Sequence, residues 1–218
     1  MTKDKGNQMR SFWSEPFLWI HLAGLAALPL TLEMVALGLA TGELLLPVWL
    51  ELLVVAVIGI APVLWMQLTR PFDIFSLLIV ALKPDRLTES QRRLLSLFDR
   101  KTNPLLTIVA AGFMVWVLWQ IYSIAPLAAG VVPWTVQWRI AGLVLAGIGF
   151  LASHLFLQVP LSVVQVLLTS EAEWAATQPY PVEKIPEKFT VPGFRVKQIL
   201  PAIATESSSA ESSPEQMD

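Results

Sequence analysis

The sequence predicts an all-α, polytopic membrane protein with four transmembrane helices, a cytoplasmic amphipathic loop helix and a disordered C-terminal tail. Apolar residues make up 55% of the 218 residues and charged residues 15%, well below the roughly 25% charged residues of soluble domains. Residues 102–138 and 140–170 contain no Asp, Glu, Lys or Arg. These observations argue against a water-soluble globule, and the absence of Cys excludes a disulfide scaffold or thiolate metal site.

Four windows have the ~20 mainly apolar residues that a helix needs to cross a ~30 Å hydrocarbon layer. They cover about residues 16–40, 46–68, 104–126 and 139–168. The fourth window exceeds one bilayer width, so we expect it to tilt or to extend into water. The runs lack the alternation of a membrane barrel, and an open sheet cannot satisfy its backbone in lipid. Helices are therefore predicted for all four.

The distribution of Lys and Arg predicts the orientation of these spans, because short cytoplasmic loops retain basic residues. The basic residues accumulate in the N-terminal segment 1–15, the loop 69–103 and the tail 169–218, whereas the other two loops hold only Arg139. Both termini are therefore predicted to be cytoplasmic. The apolar stretch of the first span is longer than a signal-peptide core, so we expect it to remain in the protein.

The loop between the second and third spans contains two predicted elements. Residues 72–82 are apolar but too short to cross the bilayer, so they are expected in or just under the interface, with a re-entrant element as the alternative. Thr88 and Gln91 then form a capping box before an amphipathic helix. We expect this helix to rest on anionic headgroups, with docking onto a partner as the alternative. Its proposed membrane-surface residues are Arg92, Arg93, Arg100 and Lys101.

The tail changes character after Thr177, where closely spaced prolines preclude a long helix. Residues 205–218 are rich in Ser, Glu and Pro, which is the composition of a disordered low-complexity segment. Between them, residues 189–196 are more hydrophobic than a spacer requires. They are expected either to dock on the loop helix or on another protein, or to form an inert extended segment.

Small and acidic residues within the spans are candidates for helix or partner contacts. The fourth span carries a small-residue stripe that lets another helix approach closely, from this chain or from a partner; the stripe consists of Gly142, Ala146, Gly149 and Ser153. Glu33 is predicted to make a structural or partner contact, because a carboxylate within a span is costly. Glu43 and Glu51 are expected in solvated headgroups, although a cation or proton site shared with Glu33 is an alternative.

His21 and His154 are the only histidines, and both lie within predicted spans. Each is interpreted as a hydrogen-bonded structural residue, with a shared haem or chlorophyll as the alternative. His154, Gln158 and Gln165 share one helix face, which is therefore not expected to face lipid. Gln120 in the third span is expected to hydrogen-bond across the bundle.

No motif for catalysis, phosphate binding or metal binding occurs in the chain. The predicted water-facing part is too small to enclose a conventional active site. We therefore expect neither enzyme activity, nor a bound metal, nor a nucleic-acid partner.

Two runs, Glu15 to Ala26 at the start of the first span and Trp65 to Ser76 at the end of the second, carry a family resemblance. With the Ser/Glu-rich end, the chain resembles the cyanobacterial low-complexity tail membrane proteins. The resemblance implies an integral protein of the thylakoid or plasma membrane, in a family without an established activity.

The function that this resemblance favours is a non-enzymatic accessory or assembly factor of a larger, photosynthetic membrane complex. We expect such a protein to make contact through the small-residue face of the fourth span, the loop and residues 189–196. A small transporter or channel subunit that uses Glu33 and Glu51 is the first alternative. A pigment-binding or haem-binding protein that uses His21 and His154 is the second.

Overall fold

The computed structural model of the chain describes residues 11–77, 79–130, 138–191 and 193–199. Its first span consists of α1 (Pro16–Ala23), a 3₁₀ turn (Gly24–Ala27) and α2 (Leu28–Ala40). The other spans are α3 (Val48–Thr69), α5 (Pro104–Ala128) and α6 (Arg139–Leu167). All four are long and apolar enough to cross a membrane. The four-span prediction is confirmed, with boundaries within two residues of those expected.

The longest helix, α6, packs mainly against α2 and α3, and α5 packs against the same two helices and touches α6. Large apolar side chains fill the space between the four spans, among them Val35, Val55, Met114 and Phe150. The outward faces are also apolar, as on α5, where Trp116 and Trp119 are exposed. An apolar exterior around an apolar core is the arrangement that a lipid environment requires.

The N-terminal segment, the loop after α3 and the tail fold together at one end of the bundle. We call this assembly the basal unit (residues 11–18, 70–103 and 168–199). It contains α4 (Glu89–Lys101), α7 (Glu171–Ala176) and α8 (Ile185–Lys188). Its core combines residues from all three segments with the end of α6, including Phe17, Phe75, Phe98, Val166, Trp174 and Phe189. The tail residues that the structure describes are therefore folded onto the loop.

Helix α4 begins with the capping box that the sequence predicts. The Gln91 backbone N–H donates to Thr88 Oγ1 at 3.2 Å, and the Thr88 N–H donates to Gln91 Oε1 at 3.0 Å. The apolar face of α4, which includes Leu94, Leu97 and Phe98, is buried in the basal unit. The expectation that this face rests on headgroups is wrong, because the chain itself covers it.

The basal unit also contains a small β-sheet that helical periodicity does not predict. Its strands are β1 (Ser76–Leu77), β2 (Val80–Leu82) and β3 (Phe194–Val196), in the order β1-β2-β3. Strands β1 and β2 are antiparallel, whereas β2 and β3 are parallel. The loop segment is thus a hairpin, and the hydrophobic tail segment is docked on it.

Hydrogen bonds between the loop and the tail hold the tail in place before it enters β3. Arg70 Nη2 donates to the Pro186 carbonyl at 2.7 Å, and Thr190 Oγ1 donates to the Arg70 carbonyl at 2.7 Å. The Thr190 N–H donates to the Pro71 carbonyl, and the Asp73 N–H donates to the Thr190 carbonyl. The inert-spacer alternative is therefore wrong for this segment. The predicted low-complexity end, 205–218, lies outside the described residues.

Candidate functional site

An ion pair closes the end of the bundle opposite the basal unit. Arg139 is the first residue of α6, and its Nε donates to Glu51 Oε2 at 2.9 Å, with Nη2 on the same oxygen. Arg139 Nη1 donates to the carbonyls of Leu39 at 2.7 Å and Thr41 at 2.9 Å. The two charged side chains are only 2% and 1% exposed. The pair therefore joins the end of α2 to the beginnings of α3 and α6.

The other oxygen of Glu51 is also occupied. Its Oε1 accepts hydrogen bonds from the backbone N–H groups of Leu45 at 3.0 Å and Leu46 at 3.3 Å. Glu51 is therefore not in solvated headgroups, and that prediction is wrong, whereas Glu43 is exposed as expected. A carboxylate with both oxygens bound to the chain has little capacity left for a transported cation.

The small-residue stripe of α6 packs against α2. A Cβ atom on Gly142 would lie 2.5 Å from the Gly38 carbonyl oxygen, and Gly38 would meet Gly142 in the same way. Ala146 and Gly149 continue this contact, and Ser153 Oγ donates to Thr31 Oγ1 at 2.8 Å. The sequence allowed the stripe to contact a helix of this chain or of a partner, and the structure shows a helix of this chain, α2. The prediction that a partner binds the stripe is therefore wrong.

This close approach predicts that Gly142→Ala destabilises the bundle by about 1–3 kcal/mol, because the added methyl group meets backbone that cannot move freely. Gly112→Ala is a matched control, since a Cβ atom there has nothing within 4 Å. Unfolding in mixed detergent micelles, followed by Trp fluorescence, measures both. Equal stability of the two variants would contradict the contact.

The two histidines are held by different elements. His21 Nε2 lies 2.8 Å from the Ile74 carbonyl, and its ring meets Phe72 edge-on with centroids 5.8 Å apart. His154 is fully buried, and its Nδ1 lies 3.3 Å from the Gly59 carbonyl of α3. Each imidazole thus has its own structural hydrogen bond. The structural interpretation accounts for one ring nitrogen of each histidine, and a shared haem or chlorophyll stays a prediction.

A row of polar side chains on α6 continues from His154 toward the basal unit. Gln158 is buried one turn further along α6, and Ser162 follows it and accepts a hydrogen bond from Gln67 Nε2 at 3.2 Å. His154 Nε2 and Gln158 Oε1 are buried without a hydrogen-bond partner among the described residues. Because Nδ1–H of His154 donates to Gly59, both unpaired atoms are acceptors, which suits a bridging water. This face is turned away from lipid, as expected.

Two polar side chains of the spans point outward instead. Gln120 is exposed on α5, so the predicted hydrogen bond across the bundle is wrong. Glu33 is exposed on α2, and it has no hydrogen bond or ion pair with the described residues. Glu33 and the enclosed Glu51 therefore do not form a common site.

The depth of Glu33 follows from the contact of α2 with α6. A Cβ atom on Gly149 would lie 2.9 Å from the Thr31 carbonyl oxygen and 3.2 Å from the Val35 nitrogen, so residues 31–35 are level with Gly149. Gly149 is ~15 Å along α6 from Arg139 and ~27 Å from Leu167 at the helical rise of 1.5 Å per residue. Glu33 therefore lies within the apolar part of the first span, nearer its Arg139 end than the basal unit.

Most of the proposed membrane-surface cations form hydrogen bonds or ion pairs within the basal unit. Arg92 Nη1 donates to the Tyr180 carbonyl at 3.4 Å, Arg93 pairs with Glu89, and Lys101 Nζ pairs with Glu173 at 2.9 Å. Only Arg100 of this set is exposed. Within the described ranges, no group of three His, Asp or Glu side chains is placed to hold a metal ion.

A model of the low-complexity tail membrane protein-like family matches residues 14–201. The chain belongs to this family. The matched range includes the four spans, the Arg139–Glu51 pair, Glu33 and the basal unit, and it ends before the Ser/Glu-rich segment 205–218. Membership in the low-complexity tail family therefore rests on residues 14–201 and not on the Ser/Glu-rich segment. No curated protein and no solved structure matches the sequence.

The positions of Arg139 and Glu51 in the sequence could have predicted their ion pair, although counting the basic residues of each loop does not reveal it. Arg139 is the only basic residue of the two basic-poor loops, and Glu51 is an acid in the first turn of an otherwise uncharged span. A lone cation and a lone buried anion at the same membrane depth favour each other as partners, because neither is stable unpaired.

Proposed function

We propose that the protein is a non-enzymatic integral membrane protein that binds another protein within the bilayer, as an accessory or assembly factor of a larger complex. The observation that carries this proposal is Glu33, an exposed carboxylate on the apolar surface of the first span. An acidic side chain within a span costs up to roughly 2.5–3.5 kcal/mol on insertion scales. Such residues normally face protein or a water-filled cavity, and Glu33 faces neither within the described chain.

The surroundings of Glu33 define the chemistry of the partner. Leu30, one turn away on α2, is 65% exposed, so the surface around the carboxylate is apolar. The complementary surface is a transmembrane helix that presents apolar side chains around one Arg, Lys or neutral hydrogen-bond donor at the depth of Glu33. Gln120 on the neighbouring α5 offers a second outward-facing polar group.

Among the residues that the structure describes, the polar side chains of the two main cavities are engaged in structural contacts, which is in keeping with a non-enzymatic role. Two cavities of about 250 and 370 Å³ are lined mainly by apolar side chains. The polar members are His21 in the first, and Tyr122, Ser123 and Arg139 in the second. His21 is bonded to Ile74 and Arg139 to Glu51, so both are committed to structural contacts.

The proposed orientation and membrane of the protein rest on the distribution of its basic residues and on its family resemblance. The basic residues of the loop and tail support a basal unit on the cytoplasmic side, with both termini there. The resemblance to cyanobacterial proteins supports the thylakoid or plasma membrane, and a photosynthetic complex as the partner.

Glu33→Leu is expected to release the protein from its partner. Tagged wild-type protein, purified from the native host in mild detergent, should migrate with a larger complex on blue-native gels, whereas Glu33→Leu should migrate alone. Glu33→Gln should retain part of the association, since an amide keeps a hydrogen-bonding group. Mass spectrometry of the large band identifies the partner.

Leu53→Ala is a control, because Leu53 is also exposed but lies on α3. It should leave the association intact. The purified Glu33→Leu protein should be at least as stable in micelles as the wild type, since Glu33 has no described partner to lose. Wild-type protein that migrates alone in every growth condition, or Glu33→Leu that stays associated, contradicts the proposal.

A further inference from the structure

The register of the small sheet places five apolar side chains on one face. Leu77 lies opposite Val80, and Val80 lies opposite Phe194. Directly opposed residues of neighbouring strands point to the same face, and residues two apart on a strand share a face. Leu82 and its opposed residue Val196 therefore join this set. We call it the apolar sheet face: Leu77, Val80, Leu82, Phe194 and Val196.

The opposite face of the sheet is turned into the basal unit. It carries Ser76, Ala81 and Arg195, which are opposed across the three strands. Ser76 and Ala81 are fully buried. The sheet thus buries Ser76 and Ala81 fully, whereas its apolar face is only partly covered. On that face Leu77 and Leu82 are half-buried against the core of the basal unit, and Phe194 is exposed.

Exposure on the apolar sheet face is greatest at the hairpin end. Phe194 is 75% exposed, and Ile79 in the adjacent turn is 59% exposed. The Phe194 N–H donates to the Ile79 carbonyl at 2.7 Å. A Cβ atom on Gly193 would clash with that carbonyl, so glycine is required for this contact. Two large apolar residues from distant parts of the chain are thereby held side by side.

The apolar sheet face continues the lipid-facing surface of the spans. Leu77 lines a cavity of about 250 Å³ together with Ile20 and Gly24 of the first span and Phe156 of α6. Ile20 is itself exposed on the flank of α1. The strand that carries Leu77 therefore lies beside the first and fourth spans, next to their lipid-facing surface.

Two lysines border the apolar sheet face at its other end. Lys83 follows Leu82, Lys197 follows Val196, and the Lys83 N–H donates to the Val196 carbonyl at 2.9 Å. Lys197 is exposed, and Lys83 is partly exposed. Lysines beside an apolar surface bury their stems and place their ammonium groups among anionic headgroups.

We propose that the apolar sheet face lies in the headgroup and acyl-chain boundary of the leaflet next to the basal unit, with Lys83 and Lys197 on anionic lipids. The C-terminal strand is then a membrane-bound element rather than a free tail. This inference does not depend on a partner for Glu33.

The experiment uses the natural absence of cysteine in the chain. Ile79→Cys and Phe194→Cys each receive a nitroxide spin label, and the full-length proteins are reconstituted in vesicles of phosphatidylcholine and phosphatidylglycerol. Asp85→Cys and Glu183→Cys, at exposed positions of the basal unit, are the controls. All four positions are exposed, so no core packing is lost, and the Trp fluorescence spectrum checks the fold of each variant.

Labels at 79 and 194 should be relaxed strongly by oxygen and weakly by a water-soluble nickel chelate, and the control labels should show the reverse. Removing phosphatidylglycerol, or the change Lys83→Gln with Lys197→Gln, should raise the nickel accessibility of the label at 194. Nickel accessibility at 79 and 194 equal to that of the controls would show that the face is in water. Protection from both reagents would show that a protein segment covers it. Either result overturns the proposal.

Discussion

Arg139→Met is expected to destabilise the folded protein by about 3–5 kcal/mol, the usual effect of removing one partner of a buried ion pair. Glu51 would remain buried at 1% exposure, with its charge opposed only by the N–H groups of Leu45 and Leu46. The carbonyls of Leu39 and Thr41 would lose their donor as well. The ends of α2, α3 and α6 would then no longer be joined.

The double variant Glu51→Gln with Arg139→Met should recover most of this loss. The neutral amide can still accept from Leu45 and Leu46, and no uncompensated charge remains in the apolar site. Unfolding in mixed micelles with added dodecyl sulfate, followed by the fluorescence of the nine Trp residues, gives the free energy of unfolding of each variant. The double-mutant cycle then isolates the coupling of the two charges.

Glu43→Gln provides the control, because Glu43 is an exposed acid in the segment that joins α2 to α3. Its effect should stay within about 0.5 kcal/mol, as for other surface substitutions. If Arg139→Met lowers stability by only ~0–1 kcal/mol, the pair behaves like a solvent-exposed one, and the closed end that we describe is absent in solution.

The elements that the sequence predicts well are those with a local cause. The four spans depend on the summed hydropathy of ~20 neighbouring residues, and α4 depends on Thr88 and Gln91 three positions apart. Each of these features is encoded within one short, continuous stretch of sequence. The observed boundaries of the four spans accordingly agree with the predicted boundaries to within two residues.

The features that the sequence does not predict depend on which surfaces meet. The sequence indicates that the apolar face of α4 and the small-residue stripe of α6 are contact surfaces. Periodicity does not say, however, whether lipid, a partner or this chain covers them. Strands of two or three residues show no useful alternation, and β2 and β3 are more than a hundred residues apart. Rotation of the spans likewise decides that Glu51 is enclosed and Glu33 is not.

Asp73 predicts that the stability of the basal unit falls as the pH rises from about 4 to above 6. Burial raises the pKa of Asp73 from 3.8 to about 6, although the Phe75 N–H and the nearby Arg195 favour the charged form. An acid with a raised pKa binds more protons when folded than when unfolded. Its neutral form therefore gives full stability below pH ~4, and ionisation removes up to about 3 kcal/mol by pH ~7.

Asp73→Asn should abolish this pH dependence, because the amide oxygen can still accept from the Phe75 N–H at the observed 2.9 Å but carries no charge. The variant should match the wild type near pH 4 and exceed its stability at pH 7. Since the Asp73 backbone N–H also holds Thr190, ionisation weakens the very place where the tail joins the loop. Proteolysis of the tail in micelles between pH 4 and 7 measures this opening, with the exposed Asp85→Asn as control. Parallel pH profiles for wild type and Asp73→Asn would show that Asp73 is solvated and that the loop and tail are not packed around it.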